Sequence, residues 1–371
     1  MTNGLSRRNL LSRAAALSAL PAAGALLGAN PVFAAAAAPK TSRTIADIAA
    51  MSPVDMARDS AVVQAAWQRI NAAADKLQDA ALRKTVKAIL ANPAPTIVGT
   101  DAAKLTAALK AKNYVAADTV SVFPEAGNVE QSPQPFWSAP GSGYASHHAY
   151  PGGLATHVAL NVAAAEALYA EYQNVDGLKV SFDDAVGGEI LHDLHKPWVF
   201  QWQADGSCRR ERKLAGTGEH HVLSIAESMK RGLPASFVVA QACAHDHPGT
   251  PASEKSVVAW LDCAAMIAGK DPVREGYLAA DGLTLPLPRR IEGFVVHLAD
   301  HDFVISSPAC QWTVAALKRL AEKKYGVRDE KTFNALRNYV LANLTAMRLY
   351  GILSEKGEAA FEAEVARVVR T

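Results

Sequence analysis

The chain has 371 residues, half of them hydrophobic, with 38 basic and 36 acidic side chains and a formal net charge of +2. That supplies enough apolar material for a sizeable core. It excludes a strongly basic polynucleotide binder, which neutralises phosphates with clustered Lys and Arg, so long nucleic acid is not an expected partner.

In chain order, Ser6-Arg7-Arg8-Asn9-Leu10-Leu11 places a twin arginine before an apolar stretch at 14–29 and small residues around Ala34-Ala35-Ala36. This reads as a twin-arginine signal over 1–36, removed on export, with the twin-arginine machinery as partner and a periplasmic or secreted destination. The stretch is Ala- and Gly-rich, holds Pro21 and falls short of the roughly 20 apolar residues of a span, so no stable membrane anchor is expected. Its removal takes Arg7, Arg8 and Arg13 but no acid, and leaves a net charge near −1.

Residues 37–140 read as a helical N-terminal layer followed by loops. A tether runs to about Ser42, and over 53–91 Val63, Trp67, Ile70 and Leu77 recur at helical spacing. Pro93, Pro95 and Thr96 break that pattern, and a further helix is expected over 101–109, capped by Thr100 or Asp101. From Asn113 to Tyr150 prolines and glycines mark a long loop region, where Phe136 and Trp137 can stack on a substrate ring or simply pack on the surface. After Gly153 nearly every segment is helical in pattern, beginning with Leu154, Val158, Val162 and Ala165. The fold class expected is an all-α bundle, with a small strand pair in the loop region or around Lys179 to Phe182. Four cysteines, Cys208, Cys243, Cys263 and Cys310, show no Cys-x-x-Cys spacing and are not assigned to metal.

All 11 histidines lie between His147 and His301. His157, His192-Asp193, His220-His221, His245-Asp246-His247 and Asp300 each fall on or at the end of an expected helix, and a bundle can point such groups inward at one place. Imidazole and carboxylate are the ligands of divalent first-row metals, and one aspartate can give an oxygen to each of two ions. Neither a Gly-x-Ser-x-Gly elbow nor a Walker loop is present.

His157, His192-Asp193 and the distant Asp300 resemble the HD-domain superfamily of metal-dependent phosphohydrolases. The segment His147-His148-Ala149-Tyr150-Pro151-Gly152-Gly153-Leu154-Ala155-Thr156-His157 is similar to the first helix of its exoribonuclease group, and His192-Asp193-x-x-Lys196 to its extended doublet. The resemblance covers about 147–302. It implies an HD domain over 141–305, with C-terminal helices at 306–371 packing on it, and one or two divalent ions among Mn, Fe, Zn, Ni or Mg. The ligands it implies are His157, His192, Asp193 and Asp300, with His221 and His245 for a second ion, although His220 and His247 compete within their pairs. Asp193 and Lys196 would be catalytic, with metal-bound hydroxide cleaving a phosphoester of a small or nucleotide-like substrate. A di-iron oxygenase of the same superfamily and a non-catalytic ligand-binding relative are the alternative readings.

Overall fold

A computed structural model of the chain describes residues 42–99, 101–125, 134–144 and 146–371. The expected export signal and Thr100 lie outside the described residues. Ser, Thr and Asp caps start the N-terminal helices. Thr44 forms a reciprocal capping box with Asp47 at α1 (Ile45–Ala49), Ser52 caps α2 (Pro53–Asp59), Ser60 caps α3 (Ala61–Asp75) and Asp79 caps α4 (Ala80–Ala91). The continuous pattern expected over 53–91 is thus three helices, because Ser60 and Asp79 offer oxygens that start new ones. Helix α5 (Ala102–Ala111) follows Asp101, whose side chain makes no capping bond.

Eight helices carry most of the remainder: α6 (Gly153–Asn174), α7 (Phe182–Leu191), the short α8 (Lys196–Val199), α9 (Glu219–Lys230), α10 (Ala235–Ala242), α11 (Pro251–Ala268), α12 (Ile291–Ala299) and α13 (Phe303–Tyr325). Two more, α14 (Glu330–Leu344) and α15 (Ala346–Ala366), complete an all-α architecture. Gly152 has a left-handed φ of 79°, and a Cβ on Gly153 would lie 1.8 Å from the His148 carbonyl oxygen. Glycine is therefore required where the loop enters α6.

Two large apolar clusters hold the described residues together. The larger joins Val63 and Ile70 of α3, and Leu77 just after it, to Val158, Val186, Leu223, Phe237 and Leu261. The second joins Ile48 and Met56 to Leu317, Leu336, Leu349 and Val365 of the C-terminal helices. A two-residue parallel pairing of Arg43–Thr44 with Val369–Arg370 ties the two ends of this second cluster together.

The strand pair expected around Lys179 to Phe182 is absent there, because Ser181 instead caps α7. A hairpin forms further on, Lys213–Leu214 against Thr217–Gly218. Its turn residues Ala215 and Gly216 both have positive φ, as a tight two-residue hairpin demands. Phe136 is fully buried, 5.9 Å ring to ring from Trp67, and Trp137 lies under the Arg58 guanidinium. Phe136 is therefore a core residue rather than a substrate-stacking one. All four cysteines are buried free thiols, and burial pushes Cys208 and Cys243 up to about 12. Among the described residues no helix is long and apolar enough to cross a membrane.

Candidate metal centre

Helix ends deliver the polar side chains. His157 lies on the second turn of α6, His192 and Asp193 follow α7, Lys196 opens α8, His220 lies on the first turn of α9, His245 follows α10, and Asp300 caps α12. Each helix buries its apolar face in the core, so its polar end residue points into the space where the helices meet.

Two groups result, one of His157, His192 and Asp300 and one of Asp193, His220 and His245. In the first, His157 Nε2 lies 3.1 Å from Asp300 Oδ1, and His192 Nε2 lies 3.3 Å from the same oxygen. Asp193 faces both groups: its Oδ2 is 3.2 Å from His157 Nε2 and 3.0 Å from His192 Nε2, and its Oδ1 is 3.2 Å from His220 Nε2. Asp300 reaches the second group less closely, with Oδ2 4.0 Å from His245 Nε2. Lys196 Nζ is 2.5 Å from Asp193 Oδ2, and both side chains are buried.

The outer faces of the four rings are tied back. His192 Nδ1 donates to the Glu189 carbonyl at 2.7 Å, His157 Nδ1 meets Asp302 Oδ1 at 3.0 Å, and His220 Nδ1 meets Glu211 Oε2 at 2.5 Å. Thr217 Oγ1 lies 2.8 Å from His245 Nδ1. An oxygen acceptor at Nδ1 places the proton there and turns the Nε2 lone pair inward, which is how metal-ligating histidines are oriented.

The register of the His220-His221 pair differs from the expected one. His221 donates from Nε2 to the Ala242 carbonyl at 3.1 Å and stacks on His245 with ring centroids 4.0 Å apart, so it is not in either group. Neighbouring helix positions point about 100° apart, so only one of the pair can face the cluster. Buried polar residues of α9 follow both phases, Ser224 and Glu227 with His220 and Ser224 and Ser228 with His221, so the spacing alone selects neither histidine. Of the other pair, His245 faces the cluster, whereas His247 Nδ1 accepts from Gly249 and its ring lies against Phe294. Sequence reasoning also missed Asp302 and Glu211. The Asp300-x-Asp302 spacing carried a signal for the first, and nothing local did for the second.

Charge in the cluster is strongly coupled. Burial works to lower the His157 and His220 imidazoles, but Asp302, Asp193 and Asp300 raise His157 to about 10, and Glu211 and Asp193 raise His220 to about 9. Burial opposes ionisation of Asp193, yet His192 and Lys196 hold it well below the usual carboxylate range. Burial, helped by the Asp300 and Asp193 charges, pushes Glu189, behind His192, upward against the opposing pull of His192 and His157.

His192 Nε2, His220 Nε2 and both Asp193 oxygens are buried and make no hydrogen bond, despite their short separations. Lone pairs from imidazoles and carboxylates that converge without donor–acceptor alignment fit a divalent cation, so these residues can hold a metal ion.

No family model and no solved structure matches the chain. It is similar to a dihydroneopterin 2',3'-cyclic phosphate phosphodiesterase of Methanocaldococcus jannaschii, with 29% identity over 116 residues. The match takes in 31% of this chain and 45% of that protein, less than half of the relative's length.

Proposed function

We propose that the chain is an exported, metal-dependent phosphohydrolase of the HD-domain type, cleaving a phosphoester of a small or nucleotide-like molecule. The observation that carries this reading is the set of four imidazoles anchored at Nδ1 and converging by Nε2 on Asp193 and Asp300. The phosphodiesterase named for the relative favours phosphoester over oxygen chemistry and suggests a small cyclic or open phosphodiester as substrate class. Residues 141–305 form the catalytic domain in this reading, with 37–140 and 306–371 as covering layers and 1–36 removed on export.

His157, His192 and Asp300 would hold one cation and Asp193, His220 and His245 a second, with Asp193 reaching both. Bound divalent ions supply Lewis acidity, which polarises a phosphoryl oxygen and acidifies a coordinated water. Asp302, Glu211, Thr217 and the Glu189 carbonyl fix the ring tautomers, and their loss would misalign ligands rather than remove them. Lys196 holds Asp193 in place, and its ammonium offsets negative charge on a substrate phosphoryl group.

The test is hydrolysis of a panel of small phosphodiesters and monoesters under argon, by metal-stripped and Mn2+-loaded protein. Ester cleavage that needs the metal supports the reading. Oxygen consumption with no phosphoester cleavage would replace it by oxygenase chemistry. Export is tested separately: changing Arg7 and Arg8 to Lys should retain the protein inside the producing cell.

A further inference from the structure

Beside the loop that enters α6 lies a second donor set, whose two histidines the phosphohydrolase reading leaves unused. His147, His148 and Asp302 gather on the Nδ1 side of His157. The His147 and His148 Nδ1 atoms are 3.2 Å apart, and His148 Nε2 lies 3.6 Å from Asp302 Oδ2. One ligand-capable atom from each of these residues and His157 lies within 4.8 Å of all the others. Asp302 divides its oxygens, since Oδ1 holds His157 while Oδ2 is buried without a hydrogen bond.

The backbone is arranged around this pair of histidines. His148 sits at φ 53°, in the left-handed region that a non-glycine residue rarely adopts. Its carbonyl accepts from both Gly141 N and Tyr150 N at 2.9 Å. Behind the loop, the buried Arg337 donates from Nη2 to the Ala149 carbonyl at 2.6 Å. Left-handed backbone over-determined in this way gathers at ligand-binding positions.

Charge selects the kind of ligand. An anion at this place would face Asp302, whereas two imidazoles and a carboxylate form a donor set that divalent first-row metals take. His147 and Asp302 are partly exposed beside the exposed Phe303, so an ion has a way in.

We propose that His147, His148 and Asp302 form a further divalent-cation site, adjoining the six-residue centre across the His157 ring. The site stands on its own geometry and does not depend on the phosphoester reading. An ion bound there adds positive charge beside the centre, on the side that opens to solvent.

Equilibrium dialysis of the full-length protein against Mn2+, with the bound ions counted by mass spectrometry, tests it. Native protein is compared with His147→Gln, His148→Gly and Asp193→Asn. Glycine suits the left-handed backbone at 148, so His148→Gly removes the ligand without adding strain. The expected result is that His147→Gln and His148→Gly each hold one Mn2+ fewer per chain than native protein, while keeping the ions that Asp193→Asn loses. Equal counts in native protein and both histidine variants overturn the proposal and leave the six-residue centre standing. Manganese lost from the two histidine variants but retained by Asp193→Asn supports this site and overturns the centre instead.

Discussion

Oδ1 of Asp193 lies 3.2 Å from Nε2 of His220, in a buried setting with no hydrogen bond between the two groups. Because the other oxygen of Asp193 faces His157 and His192, this one carboxylate links both halves of the cluster. Asp193→Asn keeps the shape but halves the donor capacity and removes the charge. Metal affinity should fall by more than about 100-fold, beyond the usual cost of losing an outer partner, and phosphoester cleavage should fall with it. Calorimetric metal titration beside the hydrolysis assay measures both, and unchanged affinity would contradict the bridging role.

In the proposed centre His220 is a ligand and His221 a brace. His220→Gln should weaken metal binding, whereas His221→Gln should leave metal content unchanged. Loss of the His221 hydrogen bond to the Ala242 carbonyl should cost about 1–3 kcal/mol of stability, since it leaves a buried acceptor unpaired. Metal analysis and urea unfolding of the pair check the assignment, and the opposite pattern would restore the register first expected from sequence.

Glu211 tests the outer layer. It holds Nδ1 of His220 at 2.5 Å, so Glu211→Gln should retain the fold and lower metal affinity about 10–100-fold. A change of less than about twofold would mean that the ring needs no orientation from outside.

The pH dependence follows from the raised imidazoles. His157 at about 10 and His220 at about 9 bind protons more tightly in the folded, metal-free protein than the ordinary value of 6.5. Their contribution to stability is fully present below about pH 6.5 and is lost as pH rises through about 9 to 10. A cation must displace these protons, so metal affinity should rise steadily from about pH 6.5 to 9 with net proton release. Calorimetry in buffers of different ionisation enthalpy reads the protons directly. Affinity that falls with pH over this interval would contradict the charge assignment.

Phe136 distinguishes core from substrate contact. Truncation to Ala should cost about 3–5 kcal/mol of stability, because it opens a cavity against Trp67. At a temperature where the variant remains folded, KM should be unchanged. A raised KM with native stability would return Phe136 to the substrate side.

The helical class and most of the cluster were legible because their signals are local. Apolar residues recur every three or four positions along α6 and α9, and His192-Asp193 is a short chemical motif. What was less legible depends on rotation and distance. The choice between His220 and His221 turns on which side of α9 faces the cluster, and buried polar residues follow both phases, so the spacing does not record it. Asp302 gains its role from a ring 145 positions away in the chain. Phe136 read as surface because its loop is rich in proline and glycine, yet it fills a gap against Trp67. The hairpin turn at Ala215 and Gly216 escaped notice because its strands are only two residues each.

X-ray absorption of the zinc-loaded, full-length protein tests the central claim most directly. Four inward-facing imidazoles and two carboxylates predict a nitrogen and oxygen shell at about 2.0–2.2 Å, with multiple scattering from several imidazole rings. A sulfur shell near ~2.3 Å, which would put the buried cysteines on the metal, or a failure to retain zinc at all, would contradict it.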